Sequence, residues 1–252
     1  MTKTIVINPA YEPLRDFLVT LPERFDGGEL VFRSRNTIRR FTASDGTVLV
    51  VKQFRRRGLL QRIIYSTVEH SKGRRAYDNG LELLRRGFDT PEPVAYIELK
   101  RRGLLCDTYF VSRECNDAGL FGALVDTKLF DHAQADAVAS LLARMHDSGA
   151  LHGDPNLNNI LCRREVDGSL HLTLIDTNRS HFTAPGGLSA SRCLDNLKRV
   201  THRRDLLAYI VGRYAGLRGL DPEVSVRRVT DLVSRFERNR ERRHRVKALF
   251  KH

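Results

Sequence analysis

The chain has 252 residues, 41% of them apolar, enough for one large domain or for two lobes that share a cleft. No run of 18 apolar residues occurs, which excludes a membrane-spanning helix. Residues 1–9 lack the charged start and long apolar stretch of a secretion signal, so a cytoplasmic location is expected. The net charge of +13 and a pI near 10.1 call for an anionic partner: nucleic acid, an acidic lipid surface or a phosphorylated substrate.

In chain order, residues 4–6 read as a short strand and 11–21 as a short amphipathic helix that ends at Pro22. Residues 30–32, 37–42 and 47–54 read as three strands. Ser44-Asp45-Gly46 turns between the second and third, and 33–36 between the first two. A basic, partly helical stretch over 58–69 leads into a helix over 71–86, closed by Gly87 and by Thr90-Pro91-Glu92-Pro93. Residues 94–99 and 104–112 form a hairpin around 100–103. The expected fold class is α+β and bilobal. Residues 1–113 form a five-stranded antiparallel sheet with one long helix, and 114–252 a smaller, mostly helical lobe.

In that second lobe Asp131 can cap a helix running to Asp147, with Gln134 at the capping-box position and Gly149 past the end. Its apolar face is Val138, Leu141, Leu142 and Met145. Residues 193–214 and 222–250 read as two further helices, the last one started by Asp221-Pro222. Val226, Val229, Leu232 and Phe236 read as core positions of that helix. Cys106, Cys115, Cys162 and Cys193 show no C-x-x-C pairing and read as buried free thiols.

The chemistry concentrates in residues 151–180. His152-Gly153-Asp154 is followed after four residues by Asn159, and Leu174-Ile175-Asp176 lies further on. This is the layout of a phosphoryl-transfer centre. Asp154 accepts the proton of an acceptor hydroxyl, while Asn159 and Asp176 hold the Mg²⁺ that bridges the ATP phosphates. Residues 160–162 and 170–175 read as a hairpin turning at Asp167-Gly168, which would return Asp176 towards Asn159. An Asp ahead of Pro-Asn is also ordinary turn chemistry, so the argument rests on the three residues together.

A lysine on the strand under the nucleotide completes such a centre, and Lys52, inside Val48-Leu49-Val50-Val51, fits that place. Its helix partner reads as Asp78, with Glu82 one turn on as the alternative and Glu69 just ahead of the helix. Glu114 and Cys115, at the junction of the lobes, are expected to meet adenine through their backbone. No glycine-rich loop covers the phosphates, since Gly46 is the only glycine between Leu30 and Val51. The turn Arg33-Ser34-Arg35-Asn36 is the candidate in its place. His146 and His152 are expected to tie the catalytic loop to the core rather than to bind metal.

These residues resemble the lipopolysaccharide core kinases, the Kdo/heptose kinase family. The match is carried by Arg35-Asn36-Thr37-Ile38, Val50-Val51-Lys52-Gln53-Phe54 and Ser71-Lys72-Gly73-Arg74-Arg75-Ala76-Tyr77-Asp78-Asn79. Gly87-Phe88-Asp89-Thr90-Pro91-Glu92-Pro93, residues 152–159 and Ile175-Asp176-Thr177-Asn178-Arg179 add to it. The resemblance implies a protein-kinase-like fold and ATP-dependent phosphorylation of a sugar hydroxyl on the lipid A–core precursor. It places the protein at the cytoplasmic face of the inner membrane. Lys52, Asp154, Asn159 and Asp176 carry the function by that match, and Asp78 stands where the family usually has Glu. Gly153 replaces the Arg of protein kinases, and no A-P-E segment follows Asp176.

The positive charge then gains a partner in a lipid-linked acidic sugar and in the anionic inner-membrane surface. Val246, Leu249 and Phe250 share one helical face amid Arg and Lys, as in an interfacial helix or a core-docked one. The rival functions are a kinase of another small-molecule or protein acceptor and a pseudokinase scaffold on the membrane. A nucleic-acid binder is disfavoured because no recognised module for it occurs.

Overall fold

The computed structural model describes residues 1–55 and 70–249, the side chains of Arg55 and of 243–249 excepted. The basic stretch expected over 58–69, Glu69 and Phe250 lie outside the described residues, as do the side chains of Val246 and Leu249. The chain divides into two compact units. One comprises Met1–Asn116 with Leu174–Arg179, the other Asp117–Thr173 with Ser180–His252.

The first unit is built on β1 (Thr2–Ile7), β2 (Glu29–Arg33), β3 (Thr37–Thr42), β4 (Val48–Arg55), β5 (Pro93–Arg101) and β6 (Leu104–Arg113). They form a six-stranded sheet in the order β1-β5-β6-β4-β3-β2. The expected five-stranded sheet is thus corrected to six. Thr2–Ile7 pairs along its whole length with β5, from Thr2 opposite Lys100 to Ile7 opposite Ala95. Its alternation puts Ile5 and Ile7 against the core.

Period-2 patterning gives the sheet two different faces. Leu49, Val51, Ala95, Ile97 and Val111 are fully buried on one of them. They pack against Leu14, Leu18, Leu21 and Phe25 of the N-terminal segment. Each such Leu, Ile, Val or Phe side chain contributes about 1.5–3 kcal/mol by leaving water. That segment is a 3₁₀ turn (Pro9–Leu14) followed by α1 (Arg15–Thr20). The single helix expected over 11–21 is split because Pro13 supplies no N–H to an α-helical ladder.

The opposite face carries Lys52 and α2 (Lys72–Arg85). Ser71 caps α2 by accepting from the Arg74 N–H, and Gly87 ends it at φ +77°. The helix lies close to the sheet because it presents glycines. A Cβ at Gly73 would stand 2.9 Å from the Tyr109 carbonyl oxygen, and one at Gly80 would stand 2.7 Å from Pro93 Cγ. Tyr77 and Tyr96 meet edge-on with ring centroids 5.4 Å apart.

The second unit contains β7 (Ala118–Gly119), α3 (Phe121–Leu124), α4 (His132–Asp147), β8 (Ala150–Leu151), β9 (Ile160–Arg164), β10 (Leu170–Leu174) and β11 (His181–Phe182). α5 (Ala190–Leu197), α6 (Arg204–Leu217) and α7 (Pro222–Leu249) follow. Asp131 caps α4 through the Gln134 N–H at 3.1 Å, and Val138, Leu141, Leu142 and Met145 are buried as the sequence indicates.

The helix expected over 193–214 is two helices. Between them Val200, fully buried, gives its carbonyl to the Leu157 N–H at 3.0 Å, and Arg203 donates to the carbonyls of Leu124, Thr127 and Lys128. Tertiary hydrogen bonds compete there with the helical ladder. In α7 Val229 is buried, whereas Phe236 is 38% exposed, with Lys198 and Arg199 over its ring. Cys162 and Cys193 are buried free thiols, and Cys106 and Cys115 are only half-buried.

Candidate active site

Lys52 occupies β4 opposite Ile38 of β3 and Phe110 of β6, and Phe32 of β2 is opposite Ile38. Directly opposed residues share a sheet face. Phe32 and Ile38 therefore extend an apolar strip from Lys52 towards the sheet edge, and Phe32 is 55% exposed. Neither residue had a site role from the sequence. The legible signal was an apolar residue at even strand spacing from Lys52 on adjacent predicted strands.

The Lys52 ammonium is 2.6 Å from Asp176 Oδ1 and 5.2 Å from the centre of the Phe54 ring. The lysine side chain is 17% exposed, so a carboxylate partner offsets most of the cost of burying its charge. Asp176 follows β10 and holds φ at +58°, a left-handed conformation that Asp tolerates better than most side chains. Its Oδ1 also accepts from Asn178 Nδ2 at 2.6 Å. The segment is anchored upstream by the Leu174 N–H to the Asp89 carbonyl at 2.8 Å.

The structure brings Lys52 to Asp176 and not to the helix acids named from the sequence. Asp78 is exposed and pairs with Arg74, one turn earlier on the same helix, at 3.3 Å. Glu82 pairs with Arg85 at 2.7 Å and Arg86 at 2.6 Å. The Arg85 hydrogen bond leads in holding its carboxyl down to about 2. Both acids face arginines on α2 itself, because i,i+3 and i,i+4 partners lie nearest on a helix surface. The Asn79 side chain of α2 reaches the Asp176 segment, its Nδ2 donating to the Thr177 carbonyl at 2.8 Å. The sequence held one clue to it, an Asn inside a helix, where the side chain competes with the backbone unless it has a tertiary partner.

In the second unit, Gly153 at φ +72° turns the chain out of β8 into the loop that presents Asp154. The Asp154 carbonyl accepts from the Asn156 N–H at 2.8 Å and from Asn159 Nδ2 at 3.0 Å. Asn156 in turn caps the 3₁₀ turn Leu157–Asn159 through the Asn158 N–H at 2.9 Å. The five-residue spacing of Asp154 and Asn159 is thus fixed by a local cage, and Leu157 pins it into the core. The hairpin after Asn159 turns where the sequence indicates, with Gly168 at φ +84° and Asp167 Oδ1 accepting from the Ser169 N–H.

His146, at the end of α4, is buried between two partners. Nδ1 lies 2.8 Å from the Tyr214 hydroxyl and Nε2 lies 3.2 Å from Asn196 Oδ1. Arg218 donates to the same hydroxyl at 2.7 Å. This orders one proton arrangement: Tyr214 donates to Nδ1, and Nε2–H donates to Asn196. Burial pushes the imidazole down to about 4. His152 is also buried, at 1% exposure.

At the end of the sheet, Arg40 binds Glu114 through two bonds of 2.8 and 2.9 Å, and the Glu114 N–H is donated to the Val48 carbonyl at 3.1 Å. The Glu114 amide therefore belongs to the sheet. The β2–β3 turn is closed by the Ser34 N–H to the Asn36 carbonyl at 2.9 Å, with Arg33 and Arg35 exposed.

A model of the lipopolysaccharide kinase (Kdo/WaaP) family matches residues 28–211. The chain belongs to that family. It is therefore a kinase, an ATP-dependent phosphotransferase of lipopolysaccharide synthesis, and the matched stretch contains Lys52, Asp154, Asn159 and Asp176. No curated protein sequence matches it. Among solved structures it is similar to WaaP in complex with acyl carrier protein. That match has 18% identity and a TM-score of 0.60, covering 95% of this chain and 98% of the other. The Rio2 kinase of Chaetomium thermophilum, as an ADP/Mg²⁺-phosphoaspartate complex, matches at 17% identity and TM-score 0.48, covering 85% and 75% of the two chains. A second structure of that kinase gives 17% and 0.49, covering 89% and 76%. The likeness to WaaP shows a shared fold, which in this chain includes the antiparallel sheet and α2.

Proposed function

We propose that this kinase transfers the γ-phosphoryl group of ATP to a hydroxyl of Kdo or heptose on the lipid A–core precursor. Asp154 orients that hydroxyl and accepts its proton. Asn159 and Asp176 supply hard oxygen donors of the kind Mg²⁺ takes, with phosphate oxygens and water completing its shell. Mg²⁺ held there would supply positive charge against the phosphates. Lys52 steadies the α- and β-phosphates. Adenine meets the main chain at Glu114 and Cys115 and the apolar strip of Ile38 and Phe32. The observation that carries this reading is the pairing of Lys52 with Asp176 inside the stretch matched by the family model.

The decisive experiment is incubation with γ-labelled ATP and Kdo-lipid A, heptosylated core or a panel of small alcohols. Label on the lipid-linked sugar is expected, with Asp154→Ala folded but inert. Label only on small alcohols refutes the substrate class. Chelation by EDTA is expected to stop turnover and added Mg²⁺ to restore it.

Such a substrate sits in a membrane, and the anionic inner-membrane surface is the proposed docking partner. Residues 238–252 carry seven Arg and Lys against one Glu, and 238–242 are all exposed. A second partner follows from the WaaP structure, a complex with acyl carrier protein. Co-elution of the two proteins on gel filtration tests it.

A further inference from the structure

Among the described residues the acids of α2 pair with arginines and Lys52 pairs with Asp176, and yet α2 is tied to the segment that carries Asp176. Thr177 and Asn178 are 3% and 7% exposed. A carbonyl only accepts, so the Asn79 amide presents Nδ2 to the Thr177 oxygen at 2.8 Å, and the Thr177 hydroxyl donates to the Ala76 carbonyl at 3.4 Å. A carboxylate likewise only accepts, so Asn178 presents Nδ2 to Asp176. These bonds bracket a residue whose left-handed φ must be held by its surroundings. The helix that supplies Asn79 is itself fixed. Its Gly73 N–H donates to Thr108 Oγ1 at 3.2 Å, and Gly73 and Gly80 allow contact with the sheet that a Cβ would prevent.

We infer that Asn79 is a positioning residue for phosphoryl transfer. It couples α2 to the Asp176 segment through an uncharged hydrogen bond, in the place where the sequence led us to expect a carboxylate paired with Lys52. The inference rests on the kinase reading and deepens it. The neutral amide fixes the Asp176 segment by way of the backbone and adds no charge of its own, and Lys52 is left paired with Asp176.

The test compares Asn79→Leu, which removes the donor at nearly the same size, with Asn79→Asp. In Asn79→Asp the ionised carboxylate places an acceptor against the Thr177 carbonyl, whereas the protonated carboxyl donates to it again. At about pH 8 both variants are expected to lose about 10- to 100-fold in kcat, with KM for ATP changed far less. Lys52, Asp176, Arg74, Arg75 and Asp78 are common to both variants, so the ratio of their kcat values cancels those groups. That ratio, Asn79→Asp over Asn79→Leu, is expected to rise several-fold from about pH 8 to about pH 4, as a carboxyl takes up its proton.

Hydrogen exchange without nucleotide supplies a readout independent of turnover. The peptide over 174–179 is expected to exchange faster in Asn79→Leu while the rest of the sheet is unchanged. Wild-type kcat in Asn79→Leu overturns the inference. So does a pH-independent ratio, or a loss of protection spread over the whole first unit. An inactive wild-type protein would instead undo the kinase reading itself, while the exchange result would still stand.

Discussion

Asp176 combines two demands on one residue, the carboxylate proposed to take the metal and a left-handed backbone. Asn has nearly the same tolerance for that φ but carries no charge. Asp176→Asn is therefore expected to keep its thermal midpoint within a few degrees while kcat falls at least about 100-fold. Calorimetry and a radiometric kinase assay check the two halves of that statement. A large drop in the midpoint would mean that the Lys52 ion pair, rather than the chemistry, dominates at this position. The candidate site was legible in the sequence as residue types at set spacings. Lys52, Asp154, Asn159 and Asp176 were named from spacing and strand patterning. Asn79 was not, because its role depends on which face of α2 meets residues about 100 positions later.

At the scale of elements, α4 and its neighbours carry a pH-sensitive contact that the sequence could only suggest. His146 is neutral in the native state, since protonation would put a second donor against the Tyr214 hydroxyl and a charge near Arg218. Its folded-state value of about 4 lies below the ordinary 6.5. Between these limits the unfolded chain binds a proton that the native state refuses. The stabilisation is complete above about pH 6.5 and is lost as pH falls towards 4, on the order of 3 kcal/mol in all. Urea unfolding from pH 7 to pH 4 is expected to show this slope and His146→Gln to flatten it. Next to this helix, Gly149 stands at φ +78° with the Ala184 carbonyl oxygen 2.4 Å from where a Cβ would be. Gly149→Ala is expected to cost at least about 2 kcal/mol of stability, read from the same urea curves. The sequence marked Gly149 as a helix stop, and the close passage of residues 183–184 gives it a second duty.

At the scale of the whole molecule, a net charge of +13 favours anionic surfaces at any salt concentration that leaves them unscreened. Arg238, Arg240 and Arg242 are exposed on α7, beyond the Glu237–Arg204 ion pair. Reversing all three to Glu is expected to weaken binding to phosphatidylglycerol-containing vesicles by about 10-fold or more without altering the melting temperature. Co-sedimentation at low and high salt measures it, and unchanged binding would move the contact elsewhere on the surface.

The sequence by itself determined the elements with strong local codes. Strand alternation gave most of the sheet, Ser71 and Asp131 gave helix starts, and the loop from His152 to Asn159 gave the candidate catalytic residues, because those signals act within a few residues. Only the tertiary structure decided the pairing of Thr2–Ile7 into the sheet, the break between α5 and α6 and the partner of Lys52. Each of these is a choice among competing hydrogen bonds or ion pairs. It is settled by which distant residue comes within bonding distance, a quantity that no local pattern encodes.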